Sequence, residues 1–221
     1  MGSAHGATEA AFRGARAPLA RGDVEAAVRL AGSRRSDFDL NPEIKNELNR
    51  ARALRPAAVL CGVVERPGGL SVILTQRPST MREHAGQIAF PGGKIDKGDD
   101  GPVAAALREA EEEIGLERRA AEIVGRIDPY VTGTGFQVEP VVAMVDPAAR
   151  LRPDPREVED LFEAPLDFLM DPANLKRHSG EWGGRRRFYY AIPWRERYIW
   201  GATAGMLKSL ADRIAALTEG A

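Results

Sequence analysis

Residues 92–116 read GGKIDKGDDGPVAAALREAEEEIGL, a glycine pair and a polar loop that run into an amphipathic helix. At about 100° per residue, Glu109, Glu112 and Glu113 share an arc of about 100° on one helix face, whereas Glu111 points the opposite way. Three carboxylates this close repel one another unless a cation compensates them. Clustered oxygen ligands suit Mg²⁺ or Mn²⁺, which also accept phosphate oxygens. The stretch therefore predicts a divalent-metal site as well as a loop–helix unit.

The loop before the helix carries its own signals. Gly92 and Gly93 permit close backbone approach to a ligand. Pro102 marks the start of the helix, because the missing N–H of proline costs little in a first turn. An acidic run such as REAEEE is more often a solvated helix face. The FPGG sequence upstream and Gly115 directly after the helix favour a functional site instead.

The same residues resemble the Nudix box, whose pattern is G-x5-E-x7-R-E-U-x-E-E-x-G-U, with U apolar. The match begins at Gly93, has Asp99 where glutamate is usual, and continues through residues 108–116, REAEEEIGL, after a spacer one residue longer than usual. Both departures also look like the coenzyme A diphosphatase branch of the family. The resemblance implies an α/β fold, an α/β/α sandwich with a mixed sheet, and metal-dependent hydrolysis of a diphosphate bond.

A second pattern lies upstream of the box. Residues 74–77, LTQR, and 84–93, HAGQIAFPGG, resemble the additional signature of coenzyme A-type Nudix hydrolases. That signature is roughly L-L-T-x-R, a short spacer, then H-x-G-Q-x-x-F-P-G-G, and it is more specific than the box alone. It implies a substrate-binding set made of Arg77, His84, Gly86, Gln87, Phe90 and Gly92.

The resemblance also implies roles within the box. Glu109 and Glu113, at i and i+4, are expected to bind the metal directly. Glu112 is expected to be a third ligand or to hold a metal-bound water, with Arg108 orienting it. The backbone carbonyl of Gly93 is a further candidate ligand.

The general base is expected to come from a separate loop, as in some Nudix enzymes. Glu157, in the segment REVEDLF at 156–162, is the candidate because such a loop could close over the metal site. Glu159 is the second choice. A solvated helix start or an edge strand is the alternative interpretation of this segment.

Residues further along the chain could contact a nucleotide. The run RRR at 185–187 lies beside a hairpin tip and is either a solvated turn, the commoner case, or a clamp on the 3′-phosphate of coenzyme A. Tyr198, Trp200 and Phe136 are available for stacking on adenine. For each of these rings, core packing is the more common use.

Composition fits one domain of ordinary size with an extension. The chain has 221 residues, 43% hydrophobic and 29% charged, and its net charge of −1 gives no reason to expect nucleic-acid binding. No apolar run approaches the ~20 residues needed to span a bilayer. Cys61 is the only cysteine, which excludes an internal disulfide, and its apolar neighbours predict a buried strand.

A cytoplasmic location is expected from the N-terminal residues. Residues 1–23 are rich in alanine and arginine but lack the apolar core of a secretory signal. The arginines there would suit a mitochondrial presequence, but Glu9 interrupts it and the same bias continues along the chain.

Turn residues and apolar runs divide the chain into an N-terminal helical extension, 1–35, and a Nudix hydrolase domain, 36–221. The strands predicted from alternation or apolar runs are 57–65, 70–76, 87–90, 123–131, 136–145, 177–182 and 185–192. The helices predicted are 24–31, 103–114, a short one from 166, and 202–217.

These patterns together favour hydrolysis of coenzyme A or an acyl derivative to 3′,5′-ADP and 4′-phosphopantetheine or its acyl form. One alternative is a Nudix diphosphatase that acts on ADP-ribose or another nucleoside diphosphate derivative. The other is a non-catalytic nucleotide sensor, which is less favoured because the box carboxylates are all present. A small nucleotide is the expected partner, with no membrane, and a homodimer is compatible with the family resemblance.

Overall fold

The computed structural model describes residues 17–42, 53–81 and 84–219, so predictions for 1–16 and 43–52 lie outside it. The helices are α1 Arg21–Arg29, α2 Gly101–Ile114, α3 Leu166–Met170 and α4 Ala202–Glu219, with a 3₁₀ turn at Arg118–Ala120. Across these described ranges, no helix is both long enough and apolar enough to cross a membrane.

The strands form two sheets. The strands are β1 Arg35–Ser36, β2 Arg55–Arg66, β3 Gly69–Gln76, β4 Ile88–Ala89, β5 Gly92–Lys94, β6 Ala121–Arg126, β7 Tyr130–Val131, β8 Phe136–Val145, β9 Asp160–Pro165, β10 Lys176–Trp182, β11 Arg185–Trp194 and β12 Arg197–Trp200. Within the described chain, β1 to β9 form a mixed sheet and β10, β11 and β12 form a smaller antiparallel sheet.

Strand β2 is the centre of the mixed sheet. It pairs in parallel with β8 on one edge and antiparallel with β5 and β3 on the other. Successive side chains of a strand point to opposite faces, and nearly all of β2 is buried. Cys61 and Val63 pack into the core on one face, whereas Leu60 and Val64 pack into the core on the other.

Helices cover both faces of the mixed sheet. The apolar side of α2, including Ala106 and Ile114, packs in one core, while residues of α1, α3 and α4 pack in the other. The predicted α/β/α sandwich with a mixed sheet is therefore confirmed. Cys61 is a core residue as expected, and burial raises the pKa of its thiol to about 12.

Several elements of the structure differ in length from their predictions. The strand predicted at 123–131 is divided into β6, which contains a bulge at Ile123/Gly125, and β7, because residues 127–129 belong to neither strand. The strand predicted at 87–90 pairs only over Ile88–Ala89. Strands β9 and β12 had no clear sequence signal, since both are short and mix charged with apolar residues.

The smaller sheet begins with the predicted hairpin, in which Gly183 and Gly184 adopt positive φ at the turn. One face of it contributes Ile192 and Ile199 to the core beside α4. The other face carries a cluster of rings from all three strands, His178, Trp182, Tyr189, Tyr198 and Trp200.

Helix α1 packs in the core that lies between the mixed sheet and α4. It spans Arg21–Arg29, whereas the sequence predicted a helix at 24–31. Arg213 of α4 donates to the carbonyls of Ala27 and Leu30 at the C-terminal end of α1. It also makes a bidentate contact to Asp128, at 3.1 and 2.8 Å. The buried Asp128–Arg213 pair therefore connects α1, the segment between β6 and β7, and α4.

We predict that Arg213→Leu lowers the free energy of unfolding by about 3 kcal/mol, because it leaves the Asp128 carboxylate buried without its partner. Urea unfolding measures this change. The control Arg119→Leu removes an arginine whose side chain is 86% exposed and should leave the unfolding free energy nearly unchanged. Equal effects of the two substitutions on the free energy of unfolding would contradict a stabilising role for the Asp128–Arg213 pair.

The same pair predicts a pH dependence. Burial alone would raise the pKa of Asp128, but hydrogen bonds from Arg213 and Ser209 lower it below its usual range. Its contribution is therefore present above the unfolded-state pKa and is lost as pH falls through the lower folded-state pKa. The stability difference between wild type and Asp128→Asn should shrink as pH is lowered from neutral toward about 3.

Candidate active site

The glycine pair of β5 lies in close contact with β2 and α2. A Cβ at Gly92 would lie 2.4 Å from the Ala58 carbonyl oxygen and 2.6 Å from the Val59 Cα. A Cβ at Gly93 would lie 2.5 Å from Oε1 of Glu109. The absence of a side chain at Gly93 therefore allows the acidic face of α2 to pack against β5. The close packing of β5 on β2 explains why residue 92 is a glycine.

Glu109 and Glu113 converge on this glycine pair. Glu113 accepts a hydrogen bond from the Gly92 N–H at 3.3 Å and is only 5% exposed. Burial, with smaller contributions from Glu109 and Glu157, raises the pKa of Glu113 to about 7 against the opposing effects of the Gly92 N–H and Arg77. Burial also raises the pKa of Glu109. The two anions are under-compensated by the protein, as expected for carboxylates that bind a cation.

Arg108 connects the loop to the acidic helix face. Its guanidinium contacts both carboxylate oxygens of Asp99 at 2.9 Å, and this interaction lowers the pKa of Asp99 to about 2. It also contacts Glu109 at 3.0 Å and Glu112 at 3.1 Å. The expected contact to Glu112 is present. The contact to Asp99 was missed, although its place in the box pattern was the signal for it.

The third predicted ligand is placed differently from the other two. The side chain of Glu112 is 56% exposed and contacts Arg108. Across the described ranges, no three His, Cys, Asp or Glu side chains are grouped closely enough to form a metal site by themselves. The donor set formed by Glu109 and Glu113 nevertheless fits Mg²⁺ or Mn²⁺, because such ions commonly use one or two carboxylates and complete their shell with water and phosphate.

Arg77 and the turn at 84–87 form one unit beside these carboxylates. Arg77 donates its N–H to the Gln87 carbonyl at 2.9 Å and accepts from the Gly86 N–H at 3.1 Å. His84 has a positive φ of 58°, and its Nδ1 is 2.8 Å from Oε1 of Gln87. A guanidinium nitrogen of Arg77 lies 3.9 Å from Oε1 of Glu113. Four residues of the predicted substrate set, Arg77, His84, Gly86 and Gln87, therefore lie together.

Phe90 differs from its prediction. Its side chain is 3% exposed and packs in the core between the sheet and α4. A buried ring cannot contact a ligand in the cleft, so we assign Phe90 a packing role instead of the predicted substrate contact.

Glu157 lies in a turn just before β9, and its charge acts on both Glu109 and Glu113. Glu159 has a different task. Its carboxylate accepts a hydrogen bond from the Ser79 N–H at 3.0 Å, and its own N–H donates to the Gln76 carbonyl. Glu159 therefore fixes the loop after β3, whereas Glu157 is exposed near the carboxylate pair.

The remaining nucleotide-contact candidates lie on other parts of the fold. Tyr198 and Trp200 contact other rings of the smaller sheet. Phe136 lies under the guanidinium of Arg55, at 3.8 Å. Residues 185–187 form the start of β11, where their backbones pair with β10.

Comparison with known proteins identifies the family. A family model described as NUDIX domain matches residues 53–189. The chain belongs to the Nudix hydrolase family. Two relatives named "Uncharacterized Nudix hydrolase NudL" are similar to it: that of Citrobacter koseri is 40% identical over 184 residues, and that of Escherichia coli K12 is 41% identical over 182 residues. Each match covers 79% of this chain and 89% of the relative.

Solved structures of Nudix proteins also match. The Nudix hydrolase RenU of M. smegmatis has a TM-score of 0.49 and 20% identity, covering 76% of this chain and 88% of that chain. A C. elegans Ap4A hydrolase has a TM-score of 0.48 and 17% identity, covering 75% and 99%.

Membership makes this protein a Nudix hydrolase, an enzyme that acts on pyrophosphate bonds. The prediction of an enzyme is thereby confirmed, against the alternative of a non-catalytic sensor. Nudix enzymes generally use divalent metal ions, which agrees with the carboxylate pair described above.

We predict that Gly93→Ala lowers kcat by roughly 100-fold, because the new methyl group displaces the Glu109 carboxylate while the fold accommodates the flexible side chain. Steady-state kinetics and thermal unfolding measure the two effects. The control is Gly98→Ala in the same loop, where nothing lies within 4 Å of the added Cβ. Unchanged turnover in Gly93→Ala would contradict this arrangement.

Proposed function

We propose that this Nudix hydrolase cleaves the diphosphate bond of coenzyme A or an acyl derivative, giving 3′,5′-ADP and 4′-phosphopantetheine or its acyl form. The observation that carries the proposal is the unit made by Arg77 and the 84–87 turn, which lies directly beside Glu113. These are the residues by which the sequence resembles the coenzyme A-type enzymes. A signature that folds against the carboxylates is well placed to select the substrate.

Glu109 and Glu113 are the proposed direct ligands of Mg²⁺ or Mn²⁺. Glu112 and the Gly93 carbonyl are secondary candidates, and Arg108 fixes the orientation of both Glu109 and Glu112. When bound, a divalent cation neutralises the charge of the diphosphate and lowers the pKa of water. The buried carboxylates supply the negative charge that holds it.

Other residues have proposed roles in positioning and proton transfer. Arg77 donates hydrogen bonds to a phosphate oxygen; its Nε is buried and has no hydrogen-bond partner within the described residues. His84 and Gln87 shape the turn that faces the substrate. Glu157 accepts the proton of the attacking water, since it is exposed and its charge acts on both Glu109 and Glu113.

The proposal also covers the domain organisation, cellular location and oligomeric state of the enzyme. We assign 1–35 to an N-terminal extension and 36–221 to the Nudix domain, in a cytoplasmic enzyme that forms a homodimer. The net charge of −1 supports a small-molecule partner over nucleic acid.

We predict that Glu157→Gln lowers kcat by roughly 100-fold or more with little change in KM, because the amide cannot accept the proton. Steady-state kinetics at saturating metal measure this. The control Glu159→Gln removes a carboxylate that contacts Ser79, and it should retain most of the activity. Similar kcat values for the two variants would exclude Glu157 as the base.

The substrate assignment is tested by mass analysis of products after incubation with coenzyme A, ADP-ribose and diadenosine polyphosphates, each with Mg²⁺ and with Mn²⁺. We expect selective formation of 3′,5′-ADP and phosphopantetheine, abolished in Glu109→Gln. Cleavage of ADP-ribose with coenzyme A unchanged would overturn the substrate assignment but retain the carboxylate site. No turnover of any diphosphate would overturn both.

A further inference from the structure

Strand β10 is an exposed edge of the smaller sheet. It pairs with β11 along its whole length, and no other strand of the described chain pairs with its outer side. Five of its seven residues are exposed. Such an edge presents unpaired N–H and C=O groups that can pair with another chain.

The hairpin fixes which groups point outward. The two-residue turn at Gly183 and Gly184 makes Trp182 and Arg185 a hydrogen-bonded pair. Alternate residues of β10 then direct their backbone groups toward β11. Arg177, Ser179 and Glu181 therefore direct their N–H and C=O groups to the open side.

The sequence of β10 is complementary to itself about Ser179. In an antiparallel pair centred there, Arg177 of each copy lies opposite Glu181 of the other, which gives two ion pairs. Two-fold pairs centred on Arg177 or on Glu181 would instead place like charges together. No ion pair between described residues involves Arg177 or Glu181, and the Arg177 guanidinium lies over the Phe188 ring at 4.1 Å. In the register centred on Ser179, both side chains form ion pairs with the second copy.

The aromatic face would continue across this pair. The Trp182 side chain is 39% exposed, and its indole lies over Gly180, where a Cβ would be 2.8 Å from the ring. In the register centred on Ser179, His178 of one copy lies opposite Gly180 of the other. Lys176 would lie opposite Trp182, which favours a cation–π contact with the exposed indole.

We propose that the enzyme forms a two-fold symmetric homodimer through antiparallel pairing of β10 with β10 of a second copy, centred on Ser179. The two small sheets become one six-stranded sheet. A seven-residue ladder buries less than a standard interface, so the dimer is concentration-dependent. The proposal goes beyond the hydrolytic function and does not depend on which diphosphate is cleaved.

Charge reversal tests the register. Light scattering over a concentration series should give a wild-type mass that rises from 24.0 kDa toward twice that value. Arg177→Glu and Glu181→Arg should each weaken association at least about tenfold, and the double variant should restore it because opposite charges again face each other. The control Arg119→Glu should associate like wild type. A monomer at every concentration, or no recovery in the double variant, would overturn the proposal.

Cross-linking gives an independent test that does not rely on charge. Cys61 is the only cysteine and is buried, so a new cysteine reports on its own position. Opposed residues in a hydrogen-bonded antiparallel pair lie about 5.5 Å apart at Cα, within reach of a disulfide. Ser179→Cys should form a disulfide-linked dimer under mild oxidation, whereas the exposed control Ser33→Cys should not. Equal cross-linking of both would contradict the interface.

Discussion

The contact between β5 and the acidic face of α2 leaves no room for a side chain, and the arrangement of the site depends on it. Gly92 lies against the backbone of β2, and Gly93 lies under the carboxylate of Glu109. The central strand, the short strand and the helix are therefore fixed relative to one another by van der Waals exclusion. Electrostatic interactions then operate within a geometry that packing has already set.

Charge balance explains why this region is suited to a cation. The guanidinium of Arg108 donates hydrogen bonds to Asp99, Glu109 and Glu112, so one positive charge is shared by at least three carboxylates. Among the described residues, the partners of Glu113 are a guanidinium at 3.9 Å and one backbone amide. Burial is the main reason that the pKa values of Glu113 and the partly buried Glu109 are raised, and the nearby carboxylates add to the effect. A divalent ion would offset this shortage of positive charge.

Local patterns predicted those parts of the structure that local physics decides. Helix α2 was evident from its capping residues and periodicity, and β8 from its apolar run, because each signal lies within one segment. The burial of Phe90 and the division of the 123–131 strand depend on partners far along the chain, such as the Asp128–Arg213 pair. Most of the polar site could be listed from motif spacing. The contact of Arg108 with Asp99 required the folded loop, since nine residues separate them.

The position of Arg213 has a consequence for the order in which the chain matures. The carbonyls at the end of α1 accept hydrogen bonds from a residue more than 180 positions later. The N–H of Leu19, just before α1, likewise donates to Asp167. During synthesis from the N-terminus, α1 and Leu19 emerge before each of the three parts of the chain that they contact, β6, Asp167 and α4. Among the helices that the structure describes, α1 is therefore the first to be synthesised, yet it acquires its full set of native contacts only after α4 has been made.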